Sequence, residues 1–169
     1  AYCVAATDML QPEGGVSIIA ENAMTEVGKY LNQNKAEKDK ISNKKRVLVV
    51  DDSEFMLRAM NDLLSSEYEV LTAKSGLSAI RSITLDRPDL VLLDYEMPVC
   101  NGSQVLEMIR SEKDFADIPV IFLTSKVDKQ SVSKVIALKP EGYLSKSMSP
   151  ETVKREVDHF FERKNRTKK

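Results

Sequence analysis

Three aspartates, a threonine and a lysine stand at the ends of four short apolar runs. Asp51 and Asp52 follow Val47-Leu-Val-Val50, Asp94 follows Leu90-Val-Leu-Leu93, Thr124 follows Val120-Ile-Phe-Leu123, and Lys146 follows Gly142-Tyr-Leu-Ser145. Two neighbouring carboxylates such as Asp51 and Asp52 repel each other unless something compensates them. A hard divalent cation with oxygen ligands is the obvious compensator. Taken alone, Asp51-Asp52 reads equally well as a solvated turn, and polar residues end many strands. The decision rests on whether the chain brings these residues together.

The intervening stretches supply the elements that would do so. An unbroken β-branched and aliphatic run such as Val47–Val50 reads as a strand buried on both faces of a parallel sheet. Further strands are expected at Tyr68–Thr72, Asp89–Leu93, Ile118–Leu123 and Gly142–Leu144. Between them, apolar residues recur at helical spacing: Phe55, Leu57, Met60 and Leu64; Leu77, Ala79, Ile80 and Ile83; Val105, Leu106 and Ile109; Val132, Val135, Ile136 and Leu138. A fifth helix opens at Ser149-Pro150, with Glu151 behind the proline and Val153, Val157, Phe160 and Phe161 as its apolar face. Five strands alternating with five helices predict an α/β fold, a doubly wound parallel sheet with right-handed crossovers and helices on both faces. The strand order 2-1-3-4-5 follows most simply. In that order Asp51, Asp52, Asp94, Thr124 and Lys146 meet at one sheet edge, beyond the carboxyl ends of the strands, where ligands bind in open α/β sheets. Each residue alone is a weak signal; five at the ends of four neighbouring strands are a strong one.

Composition narrows the function classes. The 169 residues suffice for one domain, or one domain with an arm, and are 42% hydrophobic and 30% charged. Lys and Arg total 25 against 26 Asp and Glu, so no global field favours direct nucleic-acid or membrane binding. Apolar runs are too short to span a bilayer, and no charged segment precedes an apolar one at the start. Cys3 and Cys100 suit free thiols in a reducing compartment, the cytoplasm, rather than a disulfide framework. With His159 alone of its type, on an amphipathic helix, a structural zinc site is not expected. Residues 1–45 read as an N-terminal arm, with a helix near 16–41 and a lysine-rich linker, and could be the end of an upstream domain. The unit expected to carry the chemistry covers 46–164, and 165–169 form a basic tail. The sequence starts at Ala1 rather than Met, so it is open to being a fragment.

The stretches Val49-Val-Asp-Asp-Ser53, Leu92-Leu-Asp-Tyr-Glu-Met-Pro98 with Gly102, Leu123-Thr-Ser125 and Tyr143-Leu-Ser-Lys146 together resemble the receiver domain of two-component response regulators. The resemblance covers roughly residues 46–163. It implies a signalling module, catalysing only its own phosphorylation and dephosphorylation, in which Asp94 accepts a phosphoryl group from the phosphohistidine of a sensor histidine kinase or phosphotransfer protein. It further implies Mg²⁺, with Mn²⁺ as a substitute, held by Asp52 and Asp94, by the backbone carbonyl of Glu96 and through water by Asp51. Lys146 and Thr124 would stabilise the phosphoryl group, and Thr124 and Tyr143 would form the switch. Glu96 and Lys126 would flank the path of the hydrolysing water and tune dephosphorylation. The partners implied are the kinase and an unnamed output protein, and the family pattern allows a homodimer upon phosphorylation.

One departure bears on the lysine. The family often has Pro after it, joined by a cis peptide, whereas this chain has Ser147, for which a cis bond costs about 2.5–4 kcal/mol. Two other classes remain to be separated by experiment. A haloacid-dehalogenase-type phosphohydrolase also uses an Asp nucleophile on such a sheet, but it places Asp-x-Asp after the first strand, where this chain has Asp51-Asp52-Ser53-Glu54. A flavodoxin-like carrier would need a Ser/Thr/Gly-rich phosphate loop there.

Overall fold

Alternation within the first apolar run sets the architecture. Side chains of successive strand residues point to opposite faces of a sheet. Val47 and Val49 enter one apolar cluster and Leu48 and Val50 the other, and all four are buried. A strand buried on both faces must be covered by helices on both sides. The structure, a computed structural model, describes residues 44–125, 133 and 136–167. The arm expected over 1–45 lies outside them except for Lys44 and Lys45, as do Cys3, Lys126, Val132 and Val135.

The described elements run β1 (Arg46–Val50), α1 (Glu54–Leu64), β2 (Glu69–Ala73), α2 (Gly76–Leu85), β3 (Leu90–Leu93), α3 (Gly102–Ser111), β4 (Val120–Thr124), a 3-10 turn (Ile136–Leu138), β5 (Gly142–Ser145) and α4 (Pro150–Arg166). All five strands pair in parallel in the order β2-β1-β3-β4-β5, as expected. On one face, α1 and α4 close over the sheet through Leu57, Met60, Leu64, Val153, Val157, Phe160 and Phe161. On the other, α2 and α3 do so through Ala79, Ile83, Val105, Leu106 and Ile109. Of the helix expected before β5, Ile136 and Leu138 form the 3-10 turn.

Local chemistry starts the helices where the sequence indicates. Ser53, Ser75, Asn101 and Ser149 each accept a hydrogen bond from a backbone amide of the first turn, and Pro150 occupies the first turn of α4. Register then aligns the strand ends. Val50 pairs with Leu93, so Asp51 and Asp94 emerge side by side, and Thr124 pairs with Ser145, just before Lys146. No helix among the described residues is long and apolar enough to cross a membrane.

Candidate functional site

The five residues singled out from the sequence do converge at the carboxyl edge of the sheet. Asp51 is 1% exposed and Asp94 is 3% exposed; Thr124 is buried and Asp52 is exposed. Carboxylate oxygens of Asp51, Asp52 and Asp94 all lie within 4.8 Å of one another. Lys146 reaches into this group. Its Nζ stands 2.8 Å from Asp94 Oδ2 and 2.5 Å from Asp51 Oδ2. The backbone holds it there: the Lys146 amide donates to the Thr124 carbonyl at 2.9 Å. Among the described residues no peptide bond is cis, so the Lys146–Ser147 bond is trans and the lysine is placed without the proline. Ser147 instead ties back to Ser145, amide to Oγ at 3.2 Å and Oγ to Oγ at 2.6 Å.

Three carboxylates against one ammonium leave the cluster under-compensated. Burial pushes the Asp94 carboxyl above its ordinary range; the Lys146 ammonium pulls it down, the Asp51 charge pushes it up again, and the net shift is upward. Burial of Lys146 would lower its affinity for a proton, but Asp51 and Asp94 outweigh that and hold it above the usual lysine range. Asp51 Oδ1 accepts from the Ser53 amide at 2.9 Å, whereas buried Asp51 Oδ2 meets the ammonium without any well-oriented hydrogen bond. A buried carboxylate oxygen left in that state beside two more carboxylates suits a hard divalent cation. The donor set thus fits Mg²⁺.

The loop after Asp94 is shaped around the site. The Glu96 amide donates to Asp94 Oδ1 at 3.3 Å, and exposed Glu96 is the residue expected to offer its carbonyl. Gly102 admits no substituent: a Cβ there would stand 2.3 Å from the Asp94 carbonyl oxygen and 2.9 Å from Tyr95 Cα. Its amide donates to the Tyr95 carbonyl at 2.9 Å, which seats α3 directly behind Asp94. Between them Val99 adopts φ 68°, a left-handed conformation that is an outlier for a β-branched residue. Nothing in the sequence signalled it, since the position carries neither Gly nor Asn.

Tyr143 lies in β5 with its ring stacked on Phe122 at 5.5 Å, and Phe122 meets Tyr95 edge-on at 5.8 Å. The chain of rings therefore runs from the residue after Asp94 to β5. The Tyr143 hydroxyl is buried with no hydrogen-bond partner among the described residues, and burial, with a lesser push from Tyr95, raises its pKa. The sequence brought Lys146 to the edge shared with the aspartates; that its ammonium stands between Asp51 and Asp94 could not be read there, because spacing does not reveal how far a lysine stem leans.

With this geometry in hand, comparison with known proteins is informative. The family model described as the response regulator receiver domain matches residues 47–158. The hybrid signal transduction histidine kinase D of Dictyostelium discoideum is 35% identical over 137 residues, covering 81% of this chain but only 9% of the kinase. The polar-differentiation response regulator DivK of Brucella ovis is 31% identical, covering 62% of this chain and 86% of that protein. The chain thus spans about a tenth of the length of the kinase it matches and most of the length of DivK. The solved structure of the chemotaxis response regulator CheY4 of Vibrio cholerae superimposes with a TM-score of 0.65 at 27% identity, covering 69% of this chain and 98% of that one. Motifs, strand order, family match and superposition agree over the same residues, and this chain belongs to the response regulator receiver domains of two-component systems.

Proposed function

We propose that the chain takes a phosphoryl group onto Asp94 from a phosphohistidine and signals by a change in its surface. The observation that supports this best is the gathering of buried Asp94, its lysine partner, buried Asp51 and exposed Asp52 at one sheet edge. An Asp94 carboxylate oxygen attacks phosphorus. A P–O bond forms, the P–N bond to the donor imidazole breaks, and the electron pair returns to the ring nitrogen, which takes up a proton. Asp52 and Asp94, the Glu96 carbonyl and, through water, Asp51 would hold Mg²⁺, which supplies charge neutralisation on the phosphoryl oxygens. Lys146 then passes from carboxylate to phosphoryl oxygen, and Thr124 donates its hydroxyl to another.

The doubly charged group beside Thr124 provides the differential contact that a population shift requires. Tyr143, in β5 next to β4, is the switch aromatic of this scheme. Amide chemical shifts with and without beryllofluoride should change over the β4–β5 connection, β5 and α4; changes confined to the metal loop would count against it. Glu96 and Lys126 are the pair proposed to tune hydrolysis of the phosphoaspartate, and 1–45 the arm attached to a receiver unit of 46–164. The setting is cytoplasmic, with a histidine kinase or phosphotransfer protein upstream and an output protein downstream.

Incubation with acetyl phosphate and Mg²⁺ followed by intact mass tests the central claim. One added phosphoryl group on wild type and none on Asp94→Asn is the expected result. Labelling of Asp94→Asn, or sustained turnover of a small phosphate ester, would move the reading to another site or to a phosphohydrolase.

A further inference from the structure

The sheet has two open edges, and they are not guarded alike. The order β2-β1-β3-β4-β5 leaves β2 and β5 each paired on one side only. An unpaired strand edge is a template for another strand, and proteins blunt it with proline, lysine, a bulge or a covering segment. β5 is four residues long and opens on Gly142. β2 is Glu69-Val-Leu-Thr-Ala73, without proline, glycine or lysine, and it keeps unbroken register with β1 over its whole length. Its bonds to β1 fix which groups face out. The Glu69 amide donates to the Lys45 carbonyl, and the Ala73 carbonyl accepts from the Asp51 amide. Alternate residues of a strand bond to the same neighbour. Glu69, Leu71 and Ala73 therefore turn their backbone groups to β1, and the N–H and C=O groups of Val70 and Thr72 point outward. Among the described residues no strand reaches them.

These four groups border a groove of about 310 Å³ between β2 and α1, lined by Val70, Thr72 and Lys74 and by Leu57, Arg58 and Asp62. Arg58 and Asp62 stand on the α1 wall one turn apart, both exposed and opposite in charge. Such a wall complements itself. Turned about a two-fold axis, α1 meets its copy antiparallel, and each Arg58 faces Asp62 of the second copy. The strand complements itself too. Antiparallel neighbours bond in reciprocal pairs that alternate with non-bonded pairs. With the axis through Leu71, Val70 exchanges both bonds with Thr72 of the second copy, and Thr72 does so with Val70. All four outward groups are satisfied at once. The partly buried Leu71 side chains then meet across the axis in the close non-bonded position, with about 4.5 Å between Cα atoms.

A foreign strand satisfies the backbone groups equally well, but only the chain's own copy necessarily carries the matching charge order and the second Leu71. We infer that two copies of this chain join through antiparallel β2 edges, so that two five-stranded sheets become one continuous sheet. The strands of the two copies run in opposite directions. Their carboxyl edges, with Asp94, face away from each other and stay open. The association is thus independent of any phosphoryl group, unlike a dimer formed on phosphorylation. One strand pair with two helix walls falls at the small end of specific interfaces, so the dimer is reversible with concentration.

Sedimentation equilibrium of the full chain from micromolar to submillimolar concentration, without phosphodonor or divalent cation, tests this. Wild type should form a reversible dimer, and the Val70 and Thr72 amides should exchange hydrogen more slowly as concentration rises. Thr72→Pro removes one outward N–H and leaves the bonds to β1 in place, and proline is tolerated on edge strands. It should weaken the dimer at least tenfold. Arg58→Asp and Asp62→Arg lie at exposed positions, with circular dichroism to check the fold. Each should weaken the dimer at least fivefold, and the double variant Arg58→Asp/Asp62→Arg should return it to within threefold of wild type. Met108→Ser, an exposed apolar site on α3, should change nothing. If Thr72→Pro fails to fold, the charge swap decides alone. A wild type monomeric throughout, or a dimer indifferent to the single charge reversals, would overturn the shared edge. So would a double variant no better than the singles, a dimer that Met108→Ser dissociates, or one that forms only with beryllofluoride.

Discussion

The two ends of the same parallel strands are built on opposite terms. At the amino end a set of acids meets bases, a phenol or backbone amides. Arg46 Nε pairs with Glu69 at 2.9 Å, the Arg46 amide donates to Asp89 Oδ2 at 2.9 Å, and Lys45 stands 3.6 Å from Asp89 Oδ1. Nearby, Tyr68 donates to Asp158 at 2.5 Å, and Lys154 bridges Asp158 and Glu67, each at 2.8 Å. The Arg110 guanidinium donates to the carbonyls of Ala116, Ile118, Leu138 and Lys139, tying α3 to the segments before β4 and β5. At the carboxyl end three carboxylates crowd together beside one lysine that reaches Asp51 and Asp94, a buried tyrosine hydroxyl has no hydrogen-bond partner among the described residues, and Val99 is strained. One end ties the sheet together through paired charges; the other stores unmet interactions that the proposed cation and phosphoryl group would relieve. Stability and function are thus separated along a single strand length.

The sharpest way to break this contrast is to relieve the charged end. Asp94→Asn should make the cation-free protein more stable than wild type in chemical denaturation, because the buried negative charge disappears. Saturating Mg²⁺ should then restore wild type, by about 2.7 kcal/mol at a hundredfold excess over its dissociation constant, while Asp52→Asn gains little. Were Asp94→Asn less stable than wild type without cation, the carboxyl end would be a structural anchor after all.

At the satisfied end the expected effect has the other sign. Tyr68→Phe leaves the ring stacked on Phe161 but removes the hydrogen bond to a carboxylate, a loss of about 1.5–3 kcal/mol. The two aspartates should also split in their pH dependence. Burial pushes Asp158 up, but Lys154 and Tyr68 outweigh it and hold the carboxyl below its ordinary 3.8. Its contribution is therefore present above about pH 4 and is lost as pH falls through the lowered value. Asp94, shifted upward, binds its proton more tightly folded than unfolded, so its contribution declines as pH rises above 3.8. Stability curves of Asp158→Asn and Asp94→Asn against pH, without divalent cation, should flatten on opposite flanks. Flattening on the same flank would erase the distinction.

The sequence disclosed the charged end far better than the satisfied one. Asp51, Asp94, Thr124 and Lys146 are legible because apolar runs end on them, and the parallel register brings those ends to one edge. Strand bounds came within a residue or two, and Ser53, Ser75 and Ser149 announce the starts of their helices; of the helix expected around Val132–Leu138, the described part is a 3-10 turn. The Tyr68–Asp158 bond joins residues 90 apart, and Arg110 meets carbonyls up to 29 residues away. Such contacts depend on tertiary placement and leave no periodic trace. Val99 was hidden for another reason: its backbone state contradicts the preference of its own side chain.

That contradiction supplies the smallest and most selective expectation. A left-handed backbone at a β-branched residue costs about 1–3 kcal/mol, and glycine adopts it without that penalty. Glycine also gives the unfolded chain more freedom, which takes back roughly 0.5–1 kcal/mol. Val99→Gly should therefore stabilise the protein by about 1 kcal/mol, measurable as a higher denaturant midpoint at unchanged slope. The substituted side chain makes no buried contact, so no packing loss competes with the gain. The acetyl phosphate rate should stay at the wild-type value, because Asp94 and Lys146 are held by β3, β4 and β5 rather than by the Val99 backbone. A destabilised Val99→Gly would show that the loop draws support from its valine, and would place Val99 with the satisfied end of the molecule instead of the strained one.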